Sequence, residues 1–481
     1  MKFFNKIGLV SLKTLSILLL AGSAQAMVVL PEVITNNMVL QQKDETIFWG
    51  KANQGKDLGI VTSWNNKKYT VRVGSDGAWK LKISTPVAGG PYTISFNDGD
   101  LVTLKNIMIG EVWLCSGQSN MEMPLGGWGK IKDYQQEIAN ANYPQIRILK
   151  VKKAISNTPT QDFKTNTMGW QECSPSTIAE FSAAAYFFAR NIIKDKNVAI
   201  GLIDATWGGT VVESWTSAEG NPNLPAANPP KEAVPTNPNQ PNLLYNAMIH
   251  PLIQVGIKGV IWYQGESNNS RAYQYRELFP LVIKNWRNKF NRPNLPFIFV
   301  QLANYLPELP EPGESTWAEL REAQAMALTL PNTGMAVAID LGETKDIHPK
   351  NKQEVGRRLA LVALAKVYKQ KVAYSGPMYQ SAKLEGNQMV LSFEHVEGGL
   401  KTQNGGDIKG FAVAGADKKF YWASATIKDN KVIVAAKEVP HPVAVRYAWA
   451  NNPVCNLTNE TGLPTIPFRT DDWQGITFNK R

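Results

Sequence analysis

The chain has 481 residues and a formal net charge of +11, with 51 lysines and arginines against 40 aspartates and glutamates. Its 43% hydrophobic and 19% charged residues are typical of a folded globular protein and exclude an intrinsically disordered chain. The length suffices for two or three domains with their own cores. Basic residues are scattered along the chain, so no arginine-rich or aromatic-interleaved patch indicates a nucleic acid partner.

The first 26 residues have the pattern of a secretory signal. Three lysines, Lys2, Lys6 and Lys13, precede an apolar stretch, Leu15–Leu20, and the small residues Ala24 and Ala26 follow it. The apolar stretch is too short to span a bilayer, which makes a membrane anchor the weaker alternative. We therefore expect cleavage after Ala26 and a secreted or periplasmic protein without stable membrane insertion.

Residues 27–108 have the pattern of a small β-sandwich module. Short alternating runs, such as Glu45–Gly50 and Tyr69–Val73, are separated by glycine, asparagine and aspartate turns.

From residue 109 to 372, strand-like runs alternate with amphipathic helical segments, which predicts a largely parallel sheet wrapped by helices. The predicted strands are Val112–Cys115, Ile146–Val151, Val198–Ile203, Val260–Gln264, Phe297–Leu302 and Met335–Ile339. The predicted helices are Ile178–Ile193, Tyr273–Phe290, Trp317–Leu328 and one from Pro349 to about Val367. Ligands of such sheets bind beyond the carboxyl ends of the strands.

Two further stretches have distinct compositions. Between Ser217 and Leu243 seven prolines exclude a helix or a central strand, which predicts a long surface loop. This loop is either a plain connection or a rim that shapes a pocket. Residues 373–481 return to β-type alternation and predict a C-terminal β-rich module.

The three cysteines indicate neither a zinc site nor a disulfide framework, because no Cys-x-x-Cys or His/Cys cluster is present. Cys115 lies in an apolar strand and is interpreted as a buried hydrophobe. Whether Cys173 and Cys455 pair remains open at this point.

The segment Gly110–Pro124 carries the clearest chemical signal, because an apolar strand runs into a small-residue turn that presents Ser119. A serine hydroxyl attacks a carbonyl only when a base removes its proton and donors receive the oxyanion. Among the four histidines, His348 is favoured as the base because it follows the last predicted strand, two residues after Asp346. His250 is the best rival.

Two further segments offer donors. Trp207–Thr210 contains Gly208 and Gly209, whose backbone N–H groups are not shielded by a side chain. Trp262–Asn268 contains the side-chain amides of Gln264 and Asn268.

The four segments, in this order, resemble the SGNH/GDSL hydrolase superfamily and, within it, the sialate O-acetylesterase family of carbohydrate esterases. The resemblance extends to Leu30–Gln42, Tyr447–Pro453 and Pro467–Asp471, so it covers most of the mature chain. It implies an α/β fold with a flavodoxin-like, three-layer α/β/α catalytic domain between flanking β-sandwich modules.

The resemblance implies a nucleophile at Ser119, a base at His348 and an orienting acid at Asp346. It also implies an oxyanion hole formed by the backbone N–H groups of Ser119 and Gly209 and by the side-chain amide of Gln264. The chain departs from the superfamily spacing of Asp-x-x-His, since one residue separates Asp346 from His348; Asp340 and Glu343 are the substitutes for the acid. Substrate-binding candidates are Gly208, Trp207, Asn268 and Trp128.

The expected function is hydrolysis of O-acetyl groups from sialic acids through an acetyl-enzyme, with no cofactor and no metal. An acetylxylan or other polysaccharide acetylesterase is the alternative within the class. A non-catalytic carbohydrate-binding surface protein is the alternative outside it. A glycosidase that uses Glu213 and Glu266 fits the neighbouring residues less well than serine chemistry.

Overall fold

The computed structural model describes residues 28–165, 169–220 and 237–481. The expected signal, its cleavage position and most of the proline-rich segment lie outside these ranges.

The N-terminal region is built of β-strands. They are β1 (Val39–Gln41), β2 (Glu45–Lys51), β3 (Asp57–Thr62), β4 (Lys67–Arg72), β5 (Ala78–Ser84), β6 (Gly89–Asn97) and β7 (Leu101–Gly117). Strands β2 and β5 pair with each other, while β4, β3, β6 and β7 form consecutive antiparallel pairs. The 17-residue strand β7 is long enough to continue from this region into the central sheet, so one strand joins the two regions.

The central region alternates strands and helices. Its elements after β7 are α1 (Ser119–Glu122), α2 (Tyr134–Ala139), β8 (Tyr143–Lys150), β9 (Gln171–Cys173), α3 (Ala183–Lys196), β10 (Ala199–Thr206), β11 (Gly259–Tyr263), α4 (Ala272–Lys289), β12 (Phe297–Gln301), α5 (Thr316–Met326), β13 (Thr333–Val337) and α6 (Lys352–Lys366). The strand order is β13-β12-β11-β7-β10-β8-β9, parallel except for β9 at the edge. All six predicted strands are present in this sheet.

Helices cover both faces of the sheet. Trp113 and Ser116 lie three residues apart on β7 and so point to opposite faces, and Trp262 of β11 is in register with Ser116. The Trp113 ring contacts Phe188 of α3, with ring centroids 4.9 Å apart. The Trp262 ring contacts Trp286 of α4 on the other face, with ring centroids 5.7 Å apart. The sheet therefore lies between two helical layers, as the α/β/α prediction requires.

Two predicted helix starts need correction. The helix expected from Ile178 begins at Ala183, because the Ser182 hydroxyl accepts the Ala185 N–H and caps the helix there. The helix expected from Pro349 begins at Lys352, where the Asn351 side chain accepts the Glu354 N–H. Residues 349–351 thus stay in the loop that carries His348.

The C-terminal region forms small antiparallel sheets. Its strands are β14 (Met378–Glu385), β15 (Gln388–Glu394), β16 (Leu400–Thr402), β17 (Phe411–Ala414), β18 (Phe420–Trp422), β19 (Ser424–Lys428), β20 (Lys431–Ala435), β21 (Ala444–Tyr447), β22 (Leu457–Asn459) and β23 (Phe468–Arg469). Buried Arg321 of α5 donates to the carbonyls of Ala303 and Leu302 and to those of Ala450 and Asn451, which fastens this region to the end of β12.

Within the described ranges, no helix is both long and apolar enough to cross a membrane. All three cysteine thiols are free, so Cys173 and Cys455 are not bridged in this structure.

Candidate active site

The turn that presents Ser119 lies where two parallel strands end side by side. The Gln118 N–H donates to the Tyr263 carbonyl at the end of β11, at 3.0 Å. Gly117 has a φ of +133°, and a Cβ added there would lie 2.2 Å from that same carbonyl oxygen. Only glycine fits at Gly117, because any side chain would collide with backbone. The short helix α1 then starts at Ser119 itself.

The Gly208-Gly209 loop packs directly against Ser119. The Trp207 N–H donates to the Gly117 carbonyl at 3.1 Å, and a Cβ added at Gly208 would lie 3.2 Å from the Ser119 Cβ. The Gly208 N–H donates to Glu122 Oε2 at 2.6 Å, while Glu122 Oε1 pairs with Lys153 at 2.6 Å. Glu122 thus fixes the loop beside Ser119 and is not free for acid–base work.

Two backbone N–H groups at this junction are unused. Among the described residues, neither the Ser119 N–H nor the Gly209 N–H has a hydrogen-bond partner. Gly209 has a φ of +74°, and a Cβ added there would meet nothing within 4 Å, so this residue borders open space. Both groups are therefore available to an anionic oxygen.

Asp346 contacts His348 despite the short spacing between them. One carboxylate oxygen, Asp346 Oδ1, accepts the His348 backbone N–H at 2.9 Å and lies 3.2 Å from His348 Nδ1. The other oxygen pairs with Lys350 Nζ at 3.1 Å. With Nδ1 facing the carboxylate, Nε2 is the ring nitrogen left to take a proton.

The surroundings of His348 favour the neutral imidazole. Its side chain is 26% exposed. Burial lowers the pKa of His348 below 6.5, the positive charge of Lys352 lowers it further, and Asp346 opposes both effects. The neutral ring is the form that can act as a base near pH 7.

A side-chain amide ties the serine turn to the histidine loop. Asn120 Nδ2 donates to the Ile347 carbonyl at 3.0 Å. This bond joins the residue after Ser119 to the residue before His348. The two segments, more than 220 positions apart in sequence, therefore meet at the same edge of the sheet.

Two tryptophans border the site. Trp128 is 51% exposed, and its ring lies 5.3 Å from the His348 ring, edge to face. Trp207 is half-buried, with Lys153 Nζ 5.7 Å from its ring centroid. Of the aromatic residues predicted to bind substrate, Trp128 is the one with a large exposed face.

Gln264 and Asn268 are buried beneath the glycine loop. Gln264 Nε2 donates to the Thr210 carbonyl at 3.1 Å and to Asn268 Oδ1 at 2.7 Å, while Gln264 Oε1 accepts from the Tyr275 hydroxyl. Both hydrogens of the Gln264 amide are thus engaged within the protein, and none is left for an oxyanion. Asn268 Nδ2 donates to Glu213 Oε2, so its amide is also engaged by the protein.

The other candidate residues have structural partners. Asp340 forms a two-point ion pair with Arg358. Glu343 accepts the Lys350 N–H. His250 Nδ1 faces the Thr160 carbonyl at 2.8 Å, and His395 faces Glu397 in the C-terminal region. Glu213 pairs with Arg271.

Across the part of the chain that the structure describes, no three His, Cys, Asp or Glu side chains are grouped so as to hold a metal ion.

Sequence reasoning missed two buried residues at the site, Asn120 and Lys352. Asn120 stands in the Ser119 segment, where its position next to the nucleophile was a usable signal. Lys352 carried no signal, because a lysine at a helix start is ordinarily exposed to solvent.

Comparison with known proteins gives a consistent result. A family model described as carbohydrate esterase, sialic acid-specific acetylesterase, matches residues 109–365. The chain is 30% identical to sialate O-acetylesterase from Homo sapiens, covering 93% of this chain and 94% of the relative. It is also 30% identical to the protein of that name from Pongo abelii, covering 90% and 91%. A crystal structure of a carbohydrate acetylesterase from Xanthomonas citri aligns with a TM-score of 0.86 at 39% identity, covering 93% of this chain and 100% of that one.

Proposed function

Because the chain belongs to the sialic acid-specific acetylesterase family of carbohydrate esterases, we propose that it removes O-acetyl groups from sialic acids through an acetyl-enzyme on Ser119. The chain is a carboxylic ester hydrolase. The single observation that carries the proposed mechanism is the convergence of the Ser119 turn, the Gly208-Gly209 loop and the His348 loop at one edge of the sheet.

The proposed reaction has two half-reactions. His348 Nε2 takes the proton of the Ser119 hydroxyl, and the oxygen attacks the acetyl carbonyl carbon. The bond to the sugar oxygen then breaks, and His348 returns the proton to that oxygen as the sugar leaves. Water, activated in the same way, releases acetate and restores the serine. Asp346 holds the ring through Nδ1 and stabilises the imidazolium.

The developing oxyanion would be received by the backbone N–H groups of Ser119 and Gly209. Both are unpartnered among the described residues and lie in adjoining segments. We assign Gln264 a supporting role in place of the expected direct one, because its amide holds the Thr210 carbonyl, next to Gly209. Loss of one oxyanion donor typically costs about 3 kcal/mol of transition-state stabilisation.

The sialate preference rests on the family and on the named relatives. Sialic acids carry a carboxylate, and two partly exposed ammonium groups lie beside the site, Lys153 near Trp207 and Lys350 near Asp346. The exposed face of Trp128 offers a surface on which a sugar ring can pack.

A second candidate substrate is an acetylated polysaccharide such as xylan. The observation in its favour is the 39% identity to the Xanthomonas citri protein, which is described more broadly as a carbohydrate acetylesterase. Acetate release from O-acetylated sialic acid and from acetylated xylan, compared as kcat/KM, separates the two.

We also propose that the chain is exported and cleaved after Ala26, on the pattern of its first 26 residues. N-terminal sequencing of the mature protein tests this point.

The test of the nucleophile is Ser119→Ala. We expect aryl acetate hydrolysis to fall by at least about 10⁴-fold, because the acetyl-enzyme of the proposed mechanism forms on the Ser119 oxygen. An unchanged thermal unfolding midpoint would show that the fold is intact. A fluorophosphonate should label the unmodified protein at Ser119 and leave the variant unlabelled. Near-normal activity of Ser119→Ala would refute the nucleophile, and absence of both labelling and activity in the unmodified protein would favour a non-catalytic binding role.

A further inference from the structure

A buried polar network lies directly behind the Ser119 turn and the His348 loop. Its centre is Asn120, whose three hydrogen bonds all go to other segments. Nδ2 donates to Glu266 Oε1 at 2.6 Å and to the Ile347 carbonyl at 3.0 Å, and Oδ1 accepts from Lys352 Nζ at 2.7 Å. The lysine is an unambiguous donor, so it fixes which way the Asn120 amide points.

Lys352 is an unusual residue for a protein interior. It is 0% exposed, although it is the first residue of α6 and stands four positions after His348. Its ammonium group lies 5.4 Å from the centroid of the Tyr263 ring at the end of β11. A lone buried lysine is costly, which implies that a compensating group is near.

Glu266 supplies the opposite charge on the other side of Asn120. It is buried, and its second oxygen, Oε2, has no hydrogen-bond partner in the described part of the chain. Glu266 and Lys352 do not form a direct ion pair within 4 Å, so the Asn120 amide stands between the carboxylate and the ammonium. The three residues form one chain of charge-assisted hydrogen bonds.

We propose that Lys352, Asn120 and Glu266 form a positioning network for the ester hydrolysis, which aligns the Ser119 turn with the His348 loop and holds the Lys352 ammonium group beside that loop. None of the three touches the reacting atoms in this scheme. The inference rests on the proposed roles of Ser119 and His348.

The alignment of the Ser119 turn with the His348 loop follows from the hydrogen bonds of Asn120. This side chain belongs to the residue after the nucleophile, and its bond to Ile347 fixes the chain just before the base. If the amide lost its orientation, the hydrogen bond that joins the residue after Ser119 to the residue before His348 would be lost. A displacement of about 1 Å between reacting groups costs on the order of 10²-fold in rate.

The effect of Lys352 on the ionisation of His348 follows from the charged groups around the imidazole. Three charged groups face it: Asp346 on its own loop, Lys350 on the same loop and Lys352 at the start of α6. Asp346 favours the imidazolium, and the two lysines disfavour it. Lys352 itself is faced by Glu266, Asp346 and Glu343, which favour its charged form, and by Lys350, which opposes it.

The ionisation of Lys352 fits this role. Burial lowers the pKa of Lys352 to about 7, and burial raises the pKa of Glu266. At pH values well below 7, Lys352 is therefore mostly charged. Removing that charge should raise the pKa of His348 and move the acid limb of the kcat/KM profile to higher pH.

The experiment compares Lys352→Met with Lys352→Arg in the full chain, using kcat/KM for an aryl acetate between pH 4.5 and 8. Methionine matches the length of lysine without its charge, and arginine keeps the charge with a changed shape. Lys366→Met, at the other end of α6, is the matched control and should behave as the unmodified protein. Thermal unfolding shows whether each variant is folded.

We expect Lys352→Met to lower kcat and to move the acid limb upward by a few tenths to about one pH unit. Lys352→Arg should leave the limb in place even if its rate is lower. A limb that stays in place in Lys352→Met, or one that moves equally in both variants, would overturn the charge role.

A separate experiment tests whether Asn120 aligns the Ser119 turn with the His348 loop. Asn120→Leu keeps the branched shape and removes all three hydrogen bonds, so kcat should fall by roughly 10-fold to 100-fold while KM changes little. An unchanged kcat in a folded Asn120→Leu variant would contradict alignment. The result for Ser119→Ala is independent of both arms: if that variant kept its activity, the proposed function itself would fail.

Discussion

The two sides of the candidate site are held by different forces. The Ser119 side is fixed by backbone: two strand ends, the Gly117 close approach and the Gly208-Gly209 loop packed on the serine. The His348 side is fixed by charged side chains on a loop, through Asp346 and Lys350. The comparison teaches that the position of the nucleophile should depend less on pH and ionic strength than that of the base, since Glu122 and its partner Lys153 hold only the neighbouring glycine loop, whereas the base depends directly on the ionisation of its neighbours.

Gly117→Ala should disrupt the backbone packing that holds Ser119, and we expect it to have the largest effect of the substitutions. The new Cβ would lie 2.2 Å from the Tyr263 carbonyl, so the strand ends must separate. We expect a loss of roughly 3–5 kcal/mol in the free energy of unfolding, measured by urea titration, and an almost complete loss of activity.

Gly386→Ala is the control for Gly117→Ala. Gly386 has a φ of +64° with nothing within 4 Å of an added Cβ, so only the backbone conformation is penalised, by about 1–2 kcal/mol. Equal destabilisation by the two substitutions would contradict the close-approach argument.

Asp346→Asn should remove the negative charge beside His348 while the fold is preserved. The amide still fits the loop but no longer stabilises the imidazolium, so kcat should fall by roughly 10²-fold or more. Stability should change little, because the carboxylate is partly exposed. Asp417→Asn is a matched control, since Asp417 likewise accepts the N–H two residues later, far from the site. Full activity of Asp346→Asn would transfer the orienting role to another group.

The pH dependence of kcat/KM should report the ionisation of His348 and its charged neighbours. The lowered pKa of His348 means that the acid limb of kcat/KM has its midpoint below pH 6.5, since protonation of Nε2 removes the base. Activity is thus fully present above the folded-state pKa of His348 and is lost below it. The pH–rate profile checks this, and an acid limb with its midpoint above 6.5 would contradict the neutral-imidazole assignment.

Trp128→Ala should have the smallest effect. The ring is half exposed beside His348, so its removal should raise KM for a sugar ester by a few-fold, through loss of packing worth about 1 kcal/mol. Hydrolysis of a small aryl acetate should change less. Trp422→Ala, another exposed tryptophan, is the control and should leave both substrates unaffected. Equal KM changes for the two substrates would argue against a sugar-packing role.

Local sequence patterns predicted much of the fold. The six strands of the central sheet were visible as apolar runs, since parallel strands are buried on both faces. Ser119, Gly208 and Asp346 could be proposed because each follows a strand, and the carboxyl ends of parallel strands meet at one edge. Helix starts were less accurate, as at Lys352, because the cap at Asn351, two residues after Pro349, competed with the proline signal.

The sequence by itself determined the α/β class, the family and the candidate nucleophile and base, because these depend on short patterns and on their order. Only the tertiary structure decided that both hydrogens of the Gln264 amide are engaged inside the protein and that a fully buried Lys352 donates to Asn120 beside the His348 loop. The physical reason is that burial and the bonds to Thr210 and Asn120 depend on contacts between segments 54 to 232 positions apart, which no local pattern specifies.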